Sequence, residues 1–165
     1  MKEFIFLLVV ISIIVIFVKI FLEKKFPLSE KKVYRYKKRE VFMTEAERNF
    51  FSILLLTIGE QYQIFAQVHL PTIVDHKING QNWKGAFRHI DEKSVDFVLC
   101  EKVTLKPILA IELDDRSHEE ESRMMRDEEV KRIIETDAGI PLLRIKNEKS
   151  YSSEELKMKI SEKLI

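Results

Sequence analysis

The chain holds one cysteine, Cys100, among 165 residues. A single thiol excludes a disulfide within the chain and any zinc site built from cysteines. This agrees with a reducing cytoplasm. Cys100 stands in an apolar run, so a buried structural thiol is expected. Net charge is almost absent too: 28 Lys+Arg face 27 Asp+Glu. There is no internal repeat, no low-complexity segment, and no helix-turn-helix or zinc-finger element. The first apolar run is followed by no small-x-small cleavage site, and its leading segment carries only Lys2 as a basic residue, which argues against a cleaved signal.

What the chain does have is a long hydrophobic run, FIFLLVVISIIVIFVKIFL, from Phe4 to Leu22. Only Ser12 and Lys19 break it. Nineteen residues at about 1.5 Å each reach about 28 Å, close to a hydrocarbon core of roughly 30 Å. Lys19, near one end, can reach the headgroups. The run therefore reads as a single-pass membrane anchor, residues 1–22. Behind it, residues 23–40 carry Lys24, Lys25, Lys31, Lys32, Arg35, Lys37, Lys38 and Arg39 against three glutamates. The positive-inside rule puts this side, and all that follows, in the cytoplasm. A basic juxtamembrane linker over 23–41 also suits anionic headgroups. With those charges set aside, the remaining domain, 42–165, is net acidic, which counts against a surface that coats nucleic acid in general. It does not count against an acidic site that holds a divalent metal.

Within the domain, MTEAERNFFSILLLTIGEQ (Met43–Gln61) predicts a helix. Thr44 is its N-cap, Glu47 closes a capping box, and Phe50, Phe51, Leu54, Leu55 and Ile58 form its apolar face. YQIFAQVHL alternates as a half-buried strand. Residues 71–90 carry a turn at Asn79-Gly80 but no clear period. SVDFVLCE and KPILAIELDD predict two further strands as a hairpin. A charged helix spans Glu119–Thr136, with Gly139 at its C-terminal end. PLLRIK is a fourth strand. The last segment is a helix with Ser152 and Glu155 as a capping box and Leu156, Ile160 and Leu164 as its packed stripe. This order predicts an α/β domain with a mixed sheet flanked by helices.

The chemistry gathers at the end of AIELDDRSH, Ala110–His118. Strand alternation puts Glu112 and Asp114 on one face, about 7 Å apart. Asp96 interrupts the apolar run of the neighbouring strand. Carboxylates at strand ends need a partner. A salt-bridge network is one candidate. The other is a hard divalent ion such as Mg²⁺, held if Asp96 pairs near Glu112. Such an ion activates water and stabilises charge on a phosphodiester. Asp127 and Lys131 follow at i,i+4 spacing, and Arg144 lies on the fourth strand; these suit phosphate contacts, or partners for the carboxylates.

VDFVL, IELDDRSH and RDEEVKRIIETDAGIPLLRI together resemble the PD-(D/E)XK nuclease superfamily, in its branch related to very-short-patch-repair endonucleases. Within that branch the chain is similar to the bacterial domain-of-unknown-function family 2726, from about Phe42 to Ile145 and including TEAERNFF and QVHL. The resemblance implies a restriction-endonuclease-like fold. It implies Asp96, Glu112 and Asp114 as metal ligands, with Glu47 lent by the first helix. His118 would be the general acid or base, a role its ordinary pKa suits. Asp127 and Arg144 would sit behind the ligands or face phosphate. A bacterial chain with this anchor belongs in the inner (cytoplasmic) membrane. The superfamily's lysine, two residues after the acidic one, is here Asp114, so its role would pass to Lys131 or His118.

Two functions follow. One is a membrane-anchored, Mg²⁺-dependent endonuclease that hydrolyses nucleic acid, DNA in preference to RNA. The other is a nuclease-like domain without cleavage, a tethered module that binds nucleic acid or a protein partner.

Overall fold

A computed structural model describes residues 1–25, 33–114, 125 and 128–164. Two compact units divide the chain, Met1–Glu40 and Val41–Ile165. The first holds α1 (Lys2–Lys25). Its window Lys2–Phe21 has a mean hydropathy of 3.2, and this helix is long and apolar enough to cross a membrane. Its one polar hydroxyl, Ser12, donates back to the Leu8 carbonyl at 2.9 Å, which masks that group along the apolar surface.

The second unit is built on a four-stranded mixed sheet in the order β1-β2-β3-β4. The strands are β1 (Tyr62–His69), β2 (Ser94–Glu101), β3 (Pro107–Asp114) and β4 (Leu142–Lys146). β1, β2 and β3 run antiparallel in turn, and β4 joins β3 in parallel. A parallel neighbour needs a crossover connection, here the segment that carries a π-helical turn, Arg132–Asp137.

Before β1 lies α2 (Glu45–Ile58). Its predicted capping box is present in full: Thr44 Oγ1 accepts from the Glu47 amide, and the Glu47 carboxylate accepts from the Thr44 amide at 2.6 Å. The stretch that showed no period, 71–90, holds two short helices, α3 (Leu70–Ile73) and α4 (Trp83–Ile90). Pro71 opens the first, and Asn82 caps the second through the Gly85 amide. α3 is too short to display a helical stripe; on α4, Trp83, Ala86, Phe87 and Ile90 do recur at helical spacing, and Ile90 is its buried residue. The final helix, α5 (Ser153–Lys163), is capped by Ser152, but only half of its predicted box forms. The Ser152 hydroxyl donates to Glu154, and Glu155 pairs with Lys159 instead. The predicted helix after β3 is described only at 125 and from 128. It is α-helical to 131 and then widens to the π form, a shift that periodicity does not reveal.

Apolar clusters cover both sheet faces. On one, Phe50, Leu54 and Ile58 of α2 and Leu156 and Ile160 of α5 pack on Phe97, Leu99, Leu109, Ile111, Leu143 and Ile145. Phe97 lies 5.4 Å from Phe50 and stacks on Phe51 at 5.7 Å. On the other, Leu70, Ile90, Ile133 and Ile134 cover Val98, Cys100, Ala110 and Leu142. Cys100 is buried as expected, and burial pushes its thiol pKa up. Ile108 packs with the first cluster rather than on Ala110's side, next to a register shift between Leu99 and Cys100.

Candidate functional site: a polar row across the sheet

Four polar residues, one from each strand, stand at neighbouring positions along the sheet. Gln67 stands between the pairs Ala66↔Phe97 and Val68↔Val95, hence beside Asp96. The β2–β3 ladder ends at Phe97↔Ile111, and Asp96 and Glu112 are the next residue on each strand. Glu112 pairs in turn with Arg144, and Asp114 with Lys146. Alternation breaks here: Phe97 and Ala66 pack in the first cluster, Val95 and Val68 in the second. Glu112 and Arg144 lie on the face opposite Ile111, Leu143 and Ile145, while Gln67 reaches Glu47 of α2 and Asp96 turns to the Leu113 amide.

Each side chain in the row is held. Asp96 is half-buried, and its Oδ2 accepts from the Leu113 amide at 2.8 Å. Burial raises its pKa above the ordinary aspartate value; the Leu113 hydrogen bond acts against that, and the nearby Glu47 charge adds to it. Glu112 Oε2 lies 3.4 Å from Arg144 Nη2. The salt-bridge network raised as one explanation of the charge in AIELDD is therefore real for Glu112.

Glu47 has two roles at once. Its Oε2 closes the helix cap, and its Oε1 accepts from Gln67 Nε2 at 2.9 Å. The cap fixes the α2 terminus, and the Gln67 bond ties that terminus to β1 beside Asp96. Sequence reasoning passed over Gln67. Its backbone has φ +53°, a left-handed conformation that a glutamine seldom adopts. Nothing in the alternation of YQIFAQVHL marks it.

Lys131 is exposed, and its charge acts on Glu135. Glu135 in turn accepts from the Leu142 amide that opens β4. His118 and Asp127 lie outside the described residues, as does the stretch from 115 to 124. Among the described residues, no set of three or more His, Cys, Asp or Glu side chains is assembled for a metal ion. The region offers hard carboxylate oxygens in Asp96 with Glu47 near it, in Glu112 beside Arg144, and in Asp114 in register with Lys146. Two of these carboxylates, Asp96 and Glu47, repel each other. That donor chemistry suits Mg²⁺ or Mn²⁺ rather than a soft metal.

No curated protein and no solved structure matches the chain. A protein family does, over residues 38–164, and its description is "Protein of unknown function (DUF2726)". The chain belongs to that family.

Proposed function

We propose that this chain is a nuclease-like protein of the PD-(D/E)XK type. Its restriction-endonuclease-like domain is tethered by α1 to the inner membrane, faces the cytoplasm and hydrolyses phosphodiester bonds in nucleic acid with Mg²⁺. One observation carries this reading: a half-buried Asp96 just past the end of the β2–β3 ladder, bonded to the Leu113 amide next to Glu112 and pressed by Glu47 from the first helix. A buried carboxylate with a raised pKa among other carboxylates is poorly explained by stability alone. Asp96, Glu112 and Asp114 would hold the metal, with Glu47 beside them, and His118 or Lys131 would serve the proton transfers. Bound there, the metal supplies charge stabilisation and an activated water. Arg144, already beside Glu112, suits a phosphate oxygen. The basic linker ahead of the domain supports the cytoplasmic side.

A second reading is favoured by the Glu112–Arg144 pair and by Asp114 at the position of the superfamily's lysine. In that reading the row is a structural network, and the domain binds without cleaving. The deciding experiment is calorimetric titration of Mg²⁺ and Mn²⁺ into the purified protein, wild type beside Asp96→Ala, followed by cleavage assays on single- and double-stranded substrates. Metal binding and cleavage that both vanish in the variant support the nuclease. Nucleic-acid binding indifferent to metal and to Asp96 supports the module.

A further inference from the structure

Turns between two strands are built mostly from glycine, asparagine, aspartate, serine and proline. The turn between β2 and β3 is Lys102-Val103-Thr104-Leu105-Lys106 and holds none of them. Two backbone bonds close it. The Leu105 amide donates to the Glu101 carbonyl, and the Glu101 amide to the Lys106 carbonyl, each at 3.0 Å. Leu105 has φ +57°, a left-handed position that a bulky side chain seldom takes and that glycine or asparagine fills with little strain. The side chains on display are apolar: Val103 is 94% exposed and Leu105 53%. Neither belongs to a core cluster. A leucine held against its backbone preference and then left in water does nothing for the fold, and such a break with local rules points to a working surface.

More apolar surface lies at the same end of the sheet. α2 ends at Ile58 and β1 opens at Tyr62, which pairs with Glu101 at the base of the turn. The last turn of α2 is therefore at this end, and its Leu55 and Leu56 are exposed. Lys102 and Lys106, both exposed, flank the apolar pair of the tip. Acids at this end belong to the base rather than the tip: Glu60 follows α2, and Glu101 accepts from the Thr104 hydroxyl. An apolar tip between two lysines has the chemistry of a bilayer interface. The hydrocarbon boundary takes the valine and leucine, and anionic headgroups take the ammonium groups. α1, long and apolar enough to cross a membrane, keeps such a surface within reach. Residues 26–44 join α1 to α2. Those roughly nineteen residues span at most about 65 Å, against about 27 Å for an eight-residue strand, so the join leaves either end of the domain able to meet lipid.

We propose that the β2–β3 turn is a second membrane contact, with Val103 and Leu105 inserted at the interface of an anionic leaflet and Lys102 and Lys106 on its headgroups. The proposal rests on the anchor reading of α1 and not on the nuclease reading. It sets the direction of the domain. Asp96 lies about 17 Å along β2 from Glu101, and Glu112 and Asp114 are at the far end of β3. With the turn on the bilayer, those carboxylates are carried at the end away from the lipid.

Cys100 is buried and stays unlabelled in the folded chain, so an introduced cysteine takes a probe alone. Ser150 is exposed at the opposite end, shortly after Asn147, whose amide donates to the Asp114 carbonyl. Full-length Thr104→Cys and Ser150→Cys proteins, each with an environment-sensitive fluorophore, are reconstituted into phosphatidylcholine vesicles with and without phosphatidylglycerol. Quenching by a lipid with a nitroxide high on its acyl chain is then measured. The label at 104 is expected to be quenched, more strongly with phosphatidylglycerol, and the label at 150 is not. Val103→Ser with Leu105→Asn, added to Thr104→Cys, is expected to remove about half of that quenching or more. Leu105→Asn alone is expected to hold or raise the melting midpoint, since asparagine suits the left-handed position. A label at 104 that stays in water in both vesicles overturns the proposal and leaves the turn to a protein partner. Equal quenching at 104 and 150, quenching unchanged by the two substitutions, or a lowered midpoint for Leu105→Asn also overturns it. Protein stripped from the vesicles by alkaline carbonate overturns the anchor itself, whereas an anchored chain with an unquenched tip overturns this contact alone.

Discussion

Asp96 offers a test that separates a functional carboxylate from a structural one. Its charged form is penalised by burial and by Glu47, while its Oδ2 satisfies the Leu113 amide. Asp96→Asn keeps an acceptor of nearly the same shape and removes the charge. Asp96→Ala removes both and strands a half-buried N–H. That lost acceptor costs about 1–3 kcal/mol, so Asn should exceed Ala by that amount. The sign with pH follows from the raised pKa. Below the unfolded value, near 3.8, Asp96 is protonated in both states and its full contribution to stability is present. As pH rises through the folded pKa, that contribution is lost. Asp96→Asn should therefore match wild type in acid and be more stable at pH 7. Urea melts of residues 41–165 at pH 3 and pH 7 measure this. An Asn variant that is less stable than wild type at pH 7, with no dependence on pH, would refute the account of Asp96. On the proposed metal site, millimolar Mg²⁺ should raise the wild-type midpoint and leave Asp96→Asn where it is.

Glu47→Ala removes the carboxylate arm of a capping box and the Gln67 bond; at about 1 kcal/mol each, a loss of about 2 kcal/mol is expected in the same melts. Phe50→Ala, fully buried between Phe97 and Tyr151, should cost about 3–5 kcal/mol, and a loss under about 1 kcal/mol would contradict the packing described for α2. Arg144→Gln takes a cation from beside Glu112, so it should lower stability in metal-free buffer and strengthen Mg²⁺ binding by calorimetry. Unchanged or weaker Mg²⁺ affinity would place the metal away from Glu112.

The parts of this fold that were legible are those decided locally. The α2 cap needs only Thr44 and Glu47, three residues apart, and the strand boundaries follow from alternation and turns. Asp96 and Glu112 stood out because each interrupts an apolar run. The hairpin that brings their strands together was short enough to foresee, and its ladder ends one residue before them. Arg144 was expected as a phosphate contact or a carboxylate partner, but its choice of Glu112 requires β4 to lie parallel to β3 at one particular offset, set by packing across the crossover. Gln67 was hidden for another reason: its role comes from a backbone angle that glutamine rarely takes. α4 left only a two-turn stripe, Trp83, Ala86, Phe87 and Ile90, and the π-helical turn left none.

The left-handed Gln67 has a consequence for how many copies of this chain share a surface. β1 is an edge of the sheet. An uninterrupted eight-residue edge would be a template for another strand. At Gln67 the backbone turns out of the extended form two residues from the end, so an incoming strand loses its ladder there. That break discourages the β1 edges of two copies from zipping together.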